Sequence, residues 1–172
     1  MESKKIFEEY PSSFVFISNI VQIFIYLIGV YIIYLFNPIA VFFYVFFILI
    51  LEIRLLKKSC TNCYYYGKKC AFGKGKICHL FFNKGESDKF FKKISWLEII
   101  PDFLVFIIPM TIGILMMMIN FNFILLGLVI ILFLFSSIVT GFIRGSLACK
   151  FCMQRYIGCP AEKLFSKKIK AN

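Results

Sequence analysis

The sequence predicts an all-α integral membrane protein. Four transmembrane helices form two repeated helical hairpins, each followed by a cytoplasmic C-x2-C-x6-C knuckle. Three observations carry this. Residues 10–51 and 103–143 hold no charged side chain, in a chain that is 60% hydrophobic with a mean hydropathy of +0.84. The net charge of +11 is gathered outside those two stretches. The cysteine spacing occurs twice, at Cys60, Cys63, Cys70 and at Cys149, Cys152, Cys159.

Each uncharged stretch, at about 40 residues, would make a helix of roughly 60 Å, twice the ~30 Å hydrocarbon core. Each therefore reads as two crossings joined by a tight turn. Asn37-Pro38 breaks the first, because proline disfavours helical geometry in the residue before it. Asn120-Phe121-Asn122 breaks the second with residues that tolerate turns. The expected helices are 14–36, 38–56, 103–119 and 122–143. The first is too long for the apolar core of a secretory signal and is read as a retained signal anchor. Glu52 and Arg54, near the end of the second helix, are expected to snorkel to the headgroups.

All twenty Lys and Arg belong to the N-terminal tail, the central loop and the C-terminal tail, and none lies at the two hairpin tips. The positive-inside rule then places both termini and the central loop in the cytoplasm of a multi-pass cell-membrane protein. The chain divides into a cytoplasmic N-terminal tail, 1–13, and a first hairpin, 14–56. A Cys-rich loop with an interfacial helix, 57–102, leads to a second hairpin, 103–143, and a Cys-containing tail, 144–172. Basic residues beside membrane helices are accounted for by topology and anionic headgroups, so the charge implies the lipid bilayer as a partner and no nucleic acid.

The two cysteine sets lie 89 residues apart, and the same shift carries Phe14 onto Phe103. An even number of crossings per unit makes this a parallel repeat, with both knuckles on one face. The first copy adds Cys78 and His79, and the second has Pro160 directly after Cys159. The cytoplasm disfavours stable disulfides, and paired C-x2-C segments with soft thiolates point to metal, zinc first or an iron-sulfur cluster. Cys60, Cys63, Cys70 and Cys78 supply four ligands to one tetrahedral site. Cys149, Cys152 and Cys159 supply three, with His79 or an outside ligand as the fourth. Alternatively Cys60, Cys63, Cys149 and Cys152 pool into one site between the halves. The Cys159-Pro160 step is similar to the cysteine-proline ending of bacterial ferredoxin motifs, whose C-x2-C-x2-C run is absent here. With a single His, the chain cannot hold haem between two histidines.

Tyr64, Tyr65 and Tyr66 read first as an aromatic belt at headgroup level, and second as a shield or partner contact. Residues 87–100 read as a helix lying on the membrane, with Phe90, Phe91, Ile94 and Leu97 on one face. Ser18, Asn19, Gln22 and Tyr26 on the first helix, and Ser136, Ser137, Thr140 and Gly141 on the fourth, read as helix-packing faces. No Asp, Glu, Lys, Arg or His lies at membrane depth, which speaks against ion-coupled transport. No nucleotide-binding or hydrolase motif occurs. The expected role is a non-catalytic accessory or assembly subunit, binding a protein partner or membrane complex on its cytoplasmic face. Electron transfer through iron-sulfur clusters, or thiol oxidoreduction at the C-x2-C pairs, are the alternatives.

Overall fold

The computed structural model describes residues 6–86 and 96–159. The chain is an all-helical, multi-pass membrane protein, with four helices long and apolar enough to cross a bilayer. These are α1 (Ser12–Phe36), α2 (Pro38–Lys58), α4 (Trp96–Ile119) and α5 (Phe123–Phe151). Two short helices, α3 (Lys74–Phe81) and α6 (Met153–Gly158), follow the second and fourth crossings. Among the described residues there is no strand, only an isolated bridge between Phe7 and Cys152.

Both expected turns form, and by the same device. Asn37 and Asn122 are extended, and each side-chain oxygen accepts the amide two residues on, Ile39 and Ile124, at 2.8 Å. That satisfies one of the amides a helix start leaves without a partner. Pro38 then takes the first helical position, where a missing N–H costs nothing.

Helix α1 is the hub of the bundle. Its Ile25, Ile28 and Ile32 pack with Leu125, Val129 and Leu132 of α5. Its Ile33 packs with Tyr44, Ile48 and Leu51 of α2 and Val105 of α4. A side chain on Gly29 would stand 2.6 Å from the Tyr44 hydroxyl and 3.3 Å from Pro109, so glycine is what lets these three helices meet.

Pro109 sits inside α4 and is fully buried. Proline has no N–H, so the Val105 carbonyl one turn earlier loses its helical partner. Tyr44 replaces it from α2: its hydroxyl donates to Val105 O at 2.5 Å. In hydrocarbon no water is at hand to do so. Tyr44→Phe should therefore destabilise the bundle by about 2 kcal/mol, the cost of one buried unsatisfied acceptor. Thermal unfolding in detergent micelles checks this, and a wild-type melting curve would refute it.

Several expectations are corrected. Helix α4 begins at Trp96 rather than Phe103 and takes Pro101 into its interior. The C-terminal end of the expected interfacial helix is thus part of α4, and residues 87–95 lie outside the described residues. Helix α5 runs past Ile143 to Phe151, through wide π turns at Phe135–Val139 and Ile143–Ala148. Its 29 residues span roughly 44 Å, so its end projects beyond the hydrocarbon. The small-residue stripe on α5 is half-buried at Ser136 and Thr140 and open at Gly141. A side chain on Gly141 would meet nothing within 4 Å. The Ser136 and Thr140 hydroxyls bond the helix's own carbonyls, Phe133 and Phe135.

The polar stripe on α1 does pack inward. Ser18 is buried, Asn19 Nδ2 donates to Phe72 O at 3.3 Å, and the Tyr26 hydroxyl donates to Glu52 Oε1 at 2.7 Å. Glu52 does not snorkel outward. Helical side chains lean toward their own N-terminus, which for α2 is the hairpin tip. Glu52 turns that way, and Lys74 of α3 reaches in to pair with Oε2 at 2.7 Å.

Candidate functional site

The basic end of the bundle is closed by three segments that meet there. The N-terminal segment crosses first. Phe7 N–H donates to Phe151 O at 3.1 Å, Tyr10 N–H donates to Lys69 O at 2.9 Å, and the Tyr10 hydroxyl donates to Ala148 O. The central loop answers through Tyr65, only 2% exposed. Its hydroxyl donates to Phe7 O at 2.6 Å and accepts from Met153 N at 2.9 Å. The C-terminal segment contributes buried Gln154, whose Oε1 accepts from Tyr64 N at 2.7 Å. Tyr10, Tyr65, Ala71 and Ala148 form the core of this cap, and Cys63, Cys70 and Cys152 pack against it.

This overturns the aromatic-belt reading for Tyr65. Tyr65 is the centre of a folded cap, tied to partners 58 and 88 residues away. The density of aromatics in the N-terminal segment and α1 start, Phe7, Tyr10 and Phe14, was the available signal. The match of Gln154 to Tyr65 at the 89-residue offset was another.

The two C-x2-C segments share a local geometry. Cys60–Asn62 and Cys149–Phe151 are each one 3-10 turn. Cys63 N–H donates to Cys60 O, and Cys152 N–H to Cys149 O, both at 3.4 Å. The next turn repeats as well, with Tyr66 N–H on Cys63 O at 3.1 Å and Arg155 N–H on Cys152 O at 3.2 Å. Backbone amides aim at the sulfurs: Tyr65 at Cys63, Gln154 and Arg155 at Cys152, and Gly75 at Cys70 Sγ at 3.4 Å. N–H···S bonds of this kind orient thiolate ligands and tune the metal they hold.

The thiols gather around Cys63. It lies within electrostatic reach of Cys70 from its own loop and of Cys152 and Cys159 from the tail. Cys60 senses Cys70, Cys78 and Cys63, and Cys152 senses Cys149 and Cys159. Cys78 is fully buried and donates to Leu56 O at 3.5 Å, whereas Cys149 is exposed. His79 stays with the first loop, its ring 5.5 Å from that of Tyr66. No disulfide joins any of the seven cysteines. Among the described residues no three His, Cys, Asp or Glu side chains converge as a ligand set, so the thiols are neighbours without being a closed site.

Burial pushes the Cys63 thiol up to about 12 from an ordinary 9.0, the Cys152, Cys70 and Cys159 sulfurs adding to it while the Tyr65 amide opposes. Burial also raises Cys78, with Cys70 adding, and Cys152, where the Arg155 and Gln154 amides oppose. Tyr65 is likewise pushed up to about 12 by burial. These thiols are protonated at neutral pH in the metal-free chain.

No known protein family, curated protein or solved structure matches this chain.

Proposed function

We propose that the two C-x2-C-x6-C segments are copies of one knuckle following two copies of one hairpin, and that their thiols together bind a soft metal ion. Zinc is the first choice and an iron-sulfur cluster the second. The protein is then a multi-pass cell-membrane subunit with both termini in the cytoplasm. It is non-catalytic, and it presents the joined loop and tail to a protein partner. The observation that carries the reading is the equivalent turn at both C-x2-C pairs, with amides aimed at sulfur and Cys63 standing between the two sets. A bound metal ion would supply the cross-links that fix loop to tail, replacing thiol protons as it is bound.

Cys63 has thiol neighbours from both segments, while those of Cys60 come from its own loop and those of Cys152 from the tail, so the pooled and the two-site arrangements both go forward to test. The thiol-oxidoreductase alternative is disfavoured. An attacking cysteine needs a lowered pKa, and burial raises Cys63, Cys78 and Cys152. Iron-sulfur electron transfer keeps one supporting observation, the tyrosine packing around Cys63 that would shield a cluster from water.

Metal analysis and a visible spectrum of anaerobically purified protein separate the two metals, zinc being colourless and clusters brown. Cys63→Ser and Cys152→Ser should each lose most of the bound metal if the site is shared. Full metal content in both variants would sink the proposal. Loss confined to one set would favour the two-site arrangement.

A further inference from the structure

A notch opens where the first turns of α1 meet the loop before α3. Its volume is about 360 Å³. Lys69 and Lys76 stand on its rim with Ser12, and Val15 and Phe16 supply apolar walls. Lys69 Nζ donates to Ser12 Oγ at 3.3 Å, and Lys76 is exposed. Among the described residues neither lysine has a carboxylate partner.

We propose that this notch binds the phosphate of an anionic phospholipid headgroup. The order of groups matches such a lipid. The Lys69 ammonium lies at the helix start, where headgroups sit, and Lys76 lines the same notch. Phe16, 66% exposed, lies one turn further along α1, about 6 Å toward the hydrocarbon. Phosphate therefore meets lysine, and the acyl chain meets phenylalanine. A zwitterionic headgroup carries its own cation beside the phosphate, which the two lysines would repel, so an anionic lipid is preferred.

The notch is preformed rather than assembled from mobile lysines. Gly73 has φ +70, a left-handed conformation that glycine adopts without strain. A side chain there would stand 2.9 Å from Val15 Cγ1, so the loop backbone lies directly on α1. Asn19 pins the same loop through Phe72 O.

The adjoining helix also points to lipid. Helix α3 buries Gly75 and Cys78 and turns Ile77, Leu80 and Phe81 outward, at 46%, 76% and 74% exposure. Spacing of i, i+3, i+4 makes one apolar face. Such a face beside lysines, at the end of membrane helices, is that of a helix seated in the headgroup layer. The uncharged spans and hairpin tips leave all twenty basic residues in the segments beyond them, which suits an anionic leaflet. The proposal stands whether or not the cysteines hold metal.

The test uses the full chain in neutral detergent, titrated with dioleoylphosphatidylglycerol or dioleoylphosphatidylcholine, with bound lipids counted by native mass spectrometry. One phosphatidylglycerol should be retained about 30-fold more tightly than phosphatidylcholine, each lysine being worth about fivefold. Lys69→Gln with Lys76→Gln should abolish the preference. Lys57→Gln with Lys150→Gln removes the same charge away from the notch and should preserve it. If the first pair melts early, Lys76→Gln alone, which breaks no hydrogen bond, should still cost about fivefold. Equal retention of both lipids overturns the site. So does a preference that survives the Lys69 and Lys76 changes, which would leave the α3 face to a protein partner. Displacement by inorganic phosphate at matched concentration would overturn the lipid as the source in favour of a soluble phosphate.

Discussion

Tyr65→Ala is expected to open the basic-end cap at a cost of about 4 kcal/mol, the usual range for truncating a buried aromatic. The side chain is 2% exposed, and its ring lies 5.6 Å from that of Tyr10 and 5.2 Å from that of Tyr64. Its hydroxyl bonds both the N-terminal segment, at Phe7 O, and the C-terminal segment, at Met153 N. Removing it leaves a carbonyl and an amide to find water. Tyr65→Phe keeps the ring and should cost only about 1–2 kcal/mol. The four membrane helices pack through other residues, so the loss should be local. Hydrogen exchange of the Met153 amide in micelles reads it directly. Unchanged protection of that amide in Tyr65→Ala would show that the cap is held by something else.

Gly75→Ala should be nearly as damaging, by about 3 kcal/mol or more, through overpacking against atoms that cannot move aside. A side chain there would fall 2.1 Å from Tyr65 O and 2.5 Å from Lys68 O, both backbone. Relief requires α3 to lift from the loop, breaking the Gly67 N–H to Gly75 O bond of 3.1 Å. The lift would carry Cys78 and the Lys74–Glu52 ion pair with it. Cys78, fully buried in the native chain, should then become open to alkylation under conditions where it is otherwise silent. Gly141→Ala on α5 is the matched control, since its added methyl meets nothing within 4 Å. Equal alkylation of Cys78 in native and Gly75→Ala protein would contradict the packing described.

The four crossings were legible in the sequence because lipid imposes one rule on every residue of a span, and the absence of charge reports it locally. The tips were legible for the same reason: Asn37-Pro38 and Asn122 act on their own backbone. What escaped depends on partners distant in the chain. Tyr65 beside membrane helices fits a headgroup belt as well as a core, and only Phe7 and Met153 decide between them. Glu52 near a helix end fits snorkelling, until Lys74 arrives from the next segment. The overrun of α5 past Ile143 was hidden because Arg144 reads as the end of an apolar span, although a helix leaving the membrane has no reason to stop there. For the cysteines, spacing alone showed two equivalent sets. Their mutual placement around Cys63 is set by how three segments cross, which spacing does not contain.

That crossing also dictates an order of assembly. Phe7 and Tyr10 are made before α1, yet Ala148, the partner of Tyr10, comes 138 residues later, and Phe151 later still. At ordinary synthesis speeds the wait is roughly 10–30 s. Until α5 is made, Phe7 and Tyr10 can reach only the central loop, at Tyr65 and Lys69, and the two cysteine segments are not yet joined. The cap thus closes fully only once all four crossings have been made.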